Sequence, residues 1–238
     1  MDIGEIIGDA IAYPLHNIKS LVIYMIIGIV AGILGGASFI GMISSVSGNN
    51  TIAAGGFGFL GILILIIASL LVSGYGLDIV KFGIERRDDG PSIDIVRQIV
   101  NAIKLIVVSF VYYIVPAIIS WLLLTLLGNG ILTIIIVIII AIVFAFAQFM
   151  ATCRLAKYDS LGEALAIGEA IGDISKVGMI KVLVTVIAVF AIGFIIFFII
   201  NLIMQNINAT IGGILFGIFS VYFIFFYNRA IGLLYSDA

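Results

Sequence analysis

The chain has 238 residues, is 63% hydrophobic and 10% charged, and has a mean hydropathy of +1.37, whereas about a quarter of the residues of an ordinary soluble domain are charged. A net charge of -2 gives no basis for a nucleic-acid partner, and a single cysteine, Cys153, excludes an internal disulfide and a multi-cysteine metal site. The composition predicts an all-α membrane protein forming one polytopic domain over residues 1–238, because a bilayer core needs roughly 20 consecutive apolar residues per helix and six uncharged stretches meet that condition.

The chain opens with "DIGEIIGDAIAYPLHNIK", which puts Asp2, Glu5 and Asp9 on one helical face and Ile3, Ile6, Ile7 and Ala10 on another, as in a helix lying in the membrane interface. Its acidic start is unlike the basic beginning of a cleavable signal. The first span is expected near 20–43, where Gly28, Gly32 and Gly36 recur every four residues and predict a close helix contact. An uncharged stretch, residues 39–56, leads to the second span near 57–77 and carries a glycosylation sequon at Asn49.

The charged connection "FGIERRDDGPSIDIVRQ" follows. Gly90-Pro91 stops the helix there, and Ser92 is the expected N-cap of the next one, with Asp94 in its first turn. In "SIDIVRQIVNAIK", Asp94, Arg97, Gln98, Asn101 and Lys104 oppose Val96, Ile99, Val100 and Ile103, predicting a second interfacial helix. Spans three and four are expected near 105–127, kinked at Pro116, and 131–150, joined by uncharged "GNG". The continuously apolar "ILTIIIVIIIAIVFAFAQFM" argues for helices rather than a barrel, which would alternate.

A third amphipathic segment, "ALAIGEAIGDISKVGMIK", sets Glu169, Asp173 and Lys176 against Ile167, Ile171 and Ile174. Spans five and six are expected near 182–204 and 211–228, with Gly213 and Gly217 as a second contact pair and a second sequon at Asn208. Three repeated units of interfacial amphipathic helix plus transmembrane hairpin, about 1–80, 81–157 and 158–238, are thereby predicted, related by an axis along the membrane normal.

All 11 basic and all 13 acidic residues fall on one side of this threading. Lys19, Lys81, Arg86, Arg87, Lys104, Arg154, Lys157, Lys181 and Arg229 are the expected topology determinants. They place that side, with both termini, in the cytoplasm of a cell-membrane protein. The nine tyrosines lie in or near the same halves, where a phenol rests at the headgroups.

"GYGLDIVKFGIERRDDGPS", "RLAKYDSLGEALAIGEAIGDI" and "FFYNRAIGLLY" together resemble the family of domain of unknown function 4013, archaeal and bacterial integral membrane proteins. The resemblance covers nearly the whole chain. It implies an archaeal source and a multi-pass topology, and it carries no catalytic residues.

Catalytic patterns are sparse. "DDGPSID" matches the Asp-Asp-x4-Asp arrangement of Mg-dependent enzymes acting on diphosphate lipids, with Glu169 and Asp173 as a second acidic pair, but Gly90-Pro91 breaks the helical turn that such carboxylates need. His16 is the lone histidine, so a Ser-His-Asp triad would have to be built on it, and its place after Pro14 is that of a surface residue. The expectation is a non-catalytic scaffold or subunit without cofactor, binding membrane lipid or a partner protein. The alternative is a transporter or channel for a small or lipidic solute, whose polar traces would be Ser109, Ser120, Thr125, Gln148, Thr185 and Asn201.

Overall fold

The computed structural model describes residues 1–48 and 50–238, and among these it has nine helices and no strand. They are α1 (Ile3–His16), α2 (Ile18–Ser47), α3 (Thr51–Ile84), α4 (Ile95–Leu127), α5 (Ile131–Tyr158), α6 (Leu161–Ala164), α7 (Ile167–Val177), α8 (Met179–Asn206) and α9 (Ala209–Tyr235). Six of these, α2, α3, α4, α5, α8 and α9, are long and apolar enough to cross a membrane. Backbone groups in lipid must be paired within the segment, and a helix does this even with the Ile-rich composition found here.

The spanning helices overrun the expected stretches at the charged end of the bundle. α3 continues to Ile84, α5 to Tyr158 and α9 to Tyr235, and these extra turns carry Asp78, Arg154 and Arg229 into the packed interior. The hydrophobic core lies at this end too, built from Ile6, Tyr112, Met150, Leu155, Phe226 and Leu233 among others, while most side chains farther along face outward.

Two of the three expected interfacial helices form separate elements. α1 is closed at its start by a capping box, in which the Asp2 carboxylate accepts from the Glu5 amide and the Glu5 carboxylate accepts from the Asp2 amide. α7 follows the short α6 and ends at Gly178, whose φ of 102° suits a residue without Cβ. The second expected helix is instead the first three turns of α4, continuous with the span. Asp94, not Ser92, caps it, accepting from the Arg97 amide at 3.0 Å, while Ser92 receives the Arg97 guanidinium.

The orientation of that segment is the reverse of an interfacial helix. Gln98 and Asn101 are buried, and Val96, on the apolar face, is 73% exposed. Asn101 meets the Asp78 carboxylate there, while the Gln98 amide nitrogen is buried without a hydrogen-bond partner among the described residues; the apolar face is left for lipid, which costs nothing in a bilayer.

Helix crossings also differ from expectation. A Cβ built on Gly32, Gly213 or Gly217 meets nothing within 4 Å, and one on Gly28 makes only ordinary contact with Val221; the surroundings of Gly36 lie outside the described residues. The tight approaches are made elsewhere. A Cβ on Gly74 would fall 1.9 Å from the Gln98 carbonyl oxygen, locking α3 to α4, and Gly83 and Gly232 face each other where α3 crosses α9. Frequency of glycine along one helix was therefore a poorer guide than the partner backbone, which no single stretch reveals. Asn49 lies outside the described residues. Asn208 stands before α9, its side chain accepting from the Ile211 amide at 3.1 Å.

Candidate functional site

The charged end combines exposed charges with three ion-paired clusters that reach into the packed interior. Arg229, 1% exposed, donates through Nε and Nη2 to the Asp9 carboxylate at 2.7 and 3.2 Å, reaches Asp88 at 3.1 Å and the Arg87 carbonyl, and stacks on the Tyr13 ring. This holds α1 against α9. Arg154, 5% exposed, donates to Asp173 at 3.0 Å and to the carbonyl and carboxylate of Glu163 at 2.8 and 2.6 Å, holding α6 and α7 against α5. Asp78 accepts from Arg97 at 3.2 Å and from Asn101 at 2.9 Å, tying α3 to the start of α4. A buried charge survives only where paired and hydrogen-bonded, and each of these is.

Arg154 and Arg229 thus differ from the other expected topology determinants. Lys19, Lys81, Arg86, Arg87 and Lys157 are exposed, and Lys104 and Lys181 are half-buried. Lys104 pairs with Asp159 at 2.6 Å; Arg86, at 2.5 Å, and Lys181 converge on Asp237. The recurrence that marks the buried pairs is present in the sequence: Ile-Gly-Glu-x-Ile-Gly-Asp occurs at 3–9 and again at 167–173, ending on Asp9 and Asp173. Ile6 and Ala10 are buried on α1, and Ala170 and Ile174 occupy the same positions of α7.

Burial alone raises the Asp173 carboxyl, but hydrogen bonds from Lys176, Tyr235 and Arg154 outweigh it and hold the group below its ordinary value of 3.8. A carboxyl lowered on folding contributes stability that is complete above its unfolded value and disappears as pH falls through the folded one. Thermal stability in detergent is therefore expected to drop below about pH 4, and Asp173→Asn to flatten part of that drop. An unchanged acid profile in Asp173→Asn would assign the loss to other carboxylates.

The three carboxylates of "DDGPSID" do not converge. Asp88 faces Arg229, Asp89 binds Arg87 at 2.6 Å, and Asp94 caps α4. Glu169 and Asp173 also separate, the first exposed and the second buried under Arg154. His16 is exposed, and Cys153 is buried with its thiol directed at the Ile231 carbonyl.

Farther from the charged end, past the Gly74 crossing, α3 and α4 open on a cavity of about 860 Å³, within the size range of small-molecule sites. Its mouth is apolar and exposed, formed by Ile62, Leu65 and Ile66 of α3 and Ile106 and Phe110 of α4. Its polar lining is Ser69, Ser73, Ser109, Thr152 and Asn228, of which Ser69 and Ser73 are exposed along α3. Hydroxyls in a spanning helix commonly bond back to their own backbone, as Ser38, Ser220, Thr125 and Thr152 do here. Ser69 and Ser73 do not, and their hydroxyls make no hydrogen bond among the described residues.

Of the polar traces named from the sequence, Gln148 donates to Ser109 at 3.1 Å, joining α5 to α4 beside the cavity. Ser120 and Gln148 line a smaller cavity of about 260 Å³. Thr185 is buried, and Asn201 is exposed and bonded to Gln205. Ser69 and Ser73 escaped the sequence reading because serine one turn apart in an apolar run resembles a packing position.

Six long apolar helices around a paired-charge end define a multi-pass α-helical membrane protein. A family profile described as "Protein of unknown function (DUF4013)" matches residues 57–205, and the chain belongs to that family. Searches of curated proteins and of solved structures return no match.

Proposed function

We propose that this is a non-catalytic membrane protein that binds lipid, taking the apolar part of a membrane amphiphile into the cavity between α3 and α4. The observation that carries the reading is the cavity's construction: exposed apolar side chains at bilayer depth and, in the same lining, two exposed serine hydroxyls without partners among the described residues. Unpaired hydroxyls away from water are costly, so a ligand that brings an ester, hydroxyl or phosphate oxygen is favoured there.

The transport reading has less support. A solute path needs polar groups along its length, and those here are dispersed: Gln148 bonds to Ser109, Thr125 to its own helix, and Asn201 to Gln205.

The positive-inside bias supports a cell-membrane protein with the charged end and both termini in the cytoplasm. Three repeated units fit the ion pairs. Asp78 with Arg97 and Arg154 with Asp173 are each 19 residues apart and of opposite polarity, joining a span end to the helix after it. Arg229 with Asp9 makes the corresponding link from the last span back to α1, closing the ring.

The test is native mass spectrometry of the purified protein after lipid is added back to a delipidated sample. The parent is expected to retain lipid. Ser69→Phe and Ser73→Phe together, which fill the cavity from consecutive turns of α3 and are exposed there, are expected to lower occupancy at least about fivefold, roughly 1 kcal/mol. Equal occupancy in the two proteins would remove the lipid-binding reading.

A further inference from the structure

One helical turn beyond the lipid-open cavity, towards the charged end, three of the four helices that line it form a second recess. It is about 150 Å³ in volume and lies among α3, α4 and α5, with Asp78, Lys81, Arg97, Asn101, Lys104 and Asp159 as its polar lining. The two recesses are consecutive. Ser73 on α3 is followed one turn on by Leu77, Ala102 of the first adjoins Asn101 of the second, and Thr152 on α5 gives way to Leu155 and Ala156.

The charges of the second recess are unequal. Asp78 is engaged by Arg97 and Asn101, and Asp159 by Lys104. Lys81 is exposed and has no ion-pair partner among the described residues. Three cations therefore face two carboxylates, and the Lys81 ammonium, which acts on Asp78 through space without a contact pair, sits on a flexible stem at the level where the bundle leaves its apolar zone. A strongly hydrated point charge of this kind is suited to a phosphate.

We infer that the amphiphile is an anionic phospholipid, with its acyl portion in the cavity between α3 and α4 and its phosphate at Lys81, flanked by Lys104 and Arg97. This rests on the lipid-binding reading and adds the headgroup. An apolar slot opening sideways to the bilayer and ending at a net positive recess matches the two ends of such a lipid in both order and chemistry. A juxtamembrane Lys attracts anionic lipid by about 1 kcal/mol, enough for roughly a fivefold preference.

The test measures phosphatidylglycerol and phosphatidylcholine of identical chains binding to the delipidated full chain in neutral detergent, by native mass spectrometry at several lipid concentrations. Phosphatidylglycerol is expected to bind about fivefold more tightly. Lys81→Gln, which breaks no ion pair, is expected to abolish that preference by weakening phosphatidylglycerol more than phosphatidylcholine, whose choline already offsets its phosphate, and Lys104→Gln to reduce it. Equal binding of the two lipids by the parent, or a preference that survives Lys81→Gln, overturns the headgroup assignment. If phosphatidylcholine binding is still lost in the Ser69→Phe, Ser73→Phe protein, the lipid-binding reading stands without it; if filling the cavity affects neither lipid, that reading fails as well. Glycerol 3-phosphate serves as the soluble control. Displacement of the lipid by it at millimolar concentration would make the recess a site for a free phosphate and overturn the lipid assignment.

Discussion

Replacing Arg154 by glutamine is expected to destabilise the detergent-solubilised protein by about 3 kcal/mol. Both members of its principal pair are buried, Arg154 at 5% and Asp173 at 1% exposure, so removing the cation leaves a carboxylate in the interior with only Lys176 and Tyr235 to satisfy it. The carbonyl and carboxylate of Glu163 lose their donor in the same step, which loosens α6 as well as α7. Much of the loss comes from the stranded charge, so Arg154→Met combined with Asp173→Leu is expected to recover at least half of it. Buried ion pairs replaced as a unit by apolar side chains are often neutral. Denaturant titration of the three proteins checks this. A glutamine variant as stable as the parent would mean that the pair is not what fixes α7.

Arg229→Gln is expected to release α1 while leaving the six spans assembled. Among the described residues Arg229 is the one side chain that binds α1 through charge, gripping both carboxylate oxygens of Asp9 and stacking on Tyr13. Its loss is expected to raise the opening equilibrium of α1 about a hundredfold, the equivalent of about 3 kcal/mol for a broken buried pair. Asp9→Asn should have a smaller effect, because Asp9 is 30% exposed and its amide can still accept from Arg229. Hydrogen exchange over residues 3–16 is the readout. Protection of that segment unchanged in Arg229→Gln would show that the buried Ile6, Ala10 and Tyr13, with the Tyr222 hydroxyl on the Ile11 carbonyl, hold α1 without the ion pair.

Much of this architecture was legible in the sequence. Six uncharged stretches specified six spanning helices, because the length and hydropathy of a membrane helix are set by the bilayer rather than by tertiary context. The one-sided distribution of charge separated the two ends of the bundle for the same reason. What stayed hidden depends on partners distant in the chain. Amphipathic periodicity identified the faces of residues 94–104, yet Asn101 turns inward to Asp78 of α3, and the Gln98 backbone packs on Gly74 and carries its side chain inward with it; periodicity contains neither contact.

The same holds for charge. Arg229 reads only as one of the topology determinants until Asp9, 220 positions earlier, is brought beside it. The recurrence of Ile-Gly-Glu-x-Ile-Gly-Asp was the available clue that Asp9 and Asp173 share a task. The cavity left a fainter mark. Ser69 and Ser73 are ordinary residues for a spanning helix, and only the absence of a hydrogen-bond partner for each, seen with α4, α5 and α9 in place, separates them from the serines that bond to their own backbone.

The most direct test of lipid binding between α3 and α4 is photocrosslinking in bilayers with a phospholipid carrying a diazirine in its acyl chain, the labelled residues then being mapped by mass spectrometry. Binding in the cavity predicts labelling concentrated in the segments 62–73 and 102–110, well above that of the equally exposed apolar surface of α8 around Phe194 and Phe198. It also predicts that this excess disappears when Ser69 and Ser73 are both phenylalanine. Labelling spread evenly over the lipid-facing helices, and indifferent to those substitutions, would contradict it.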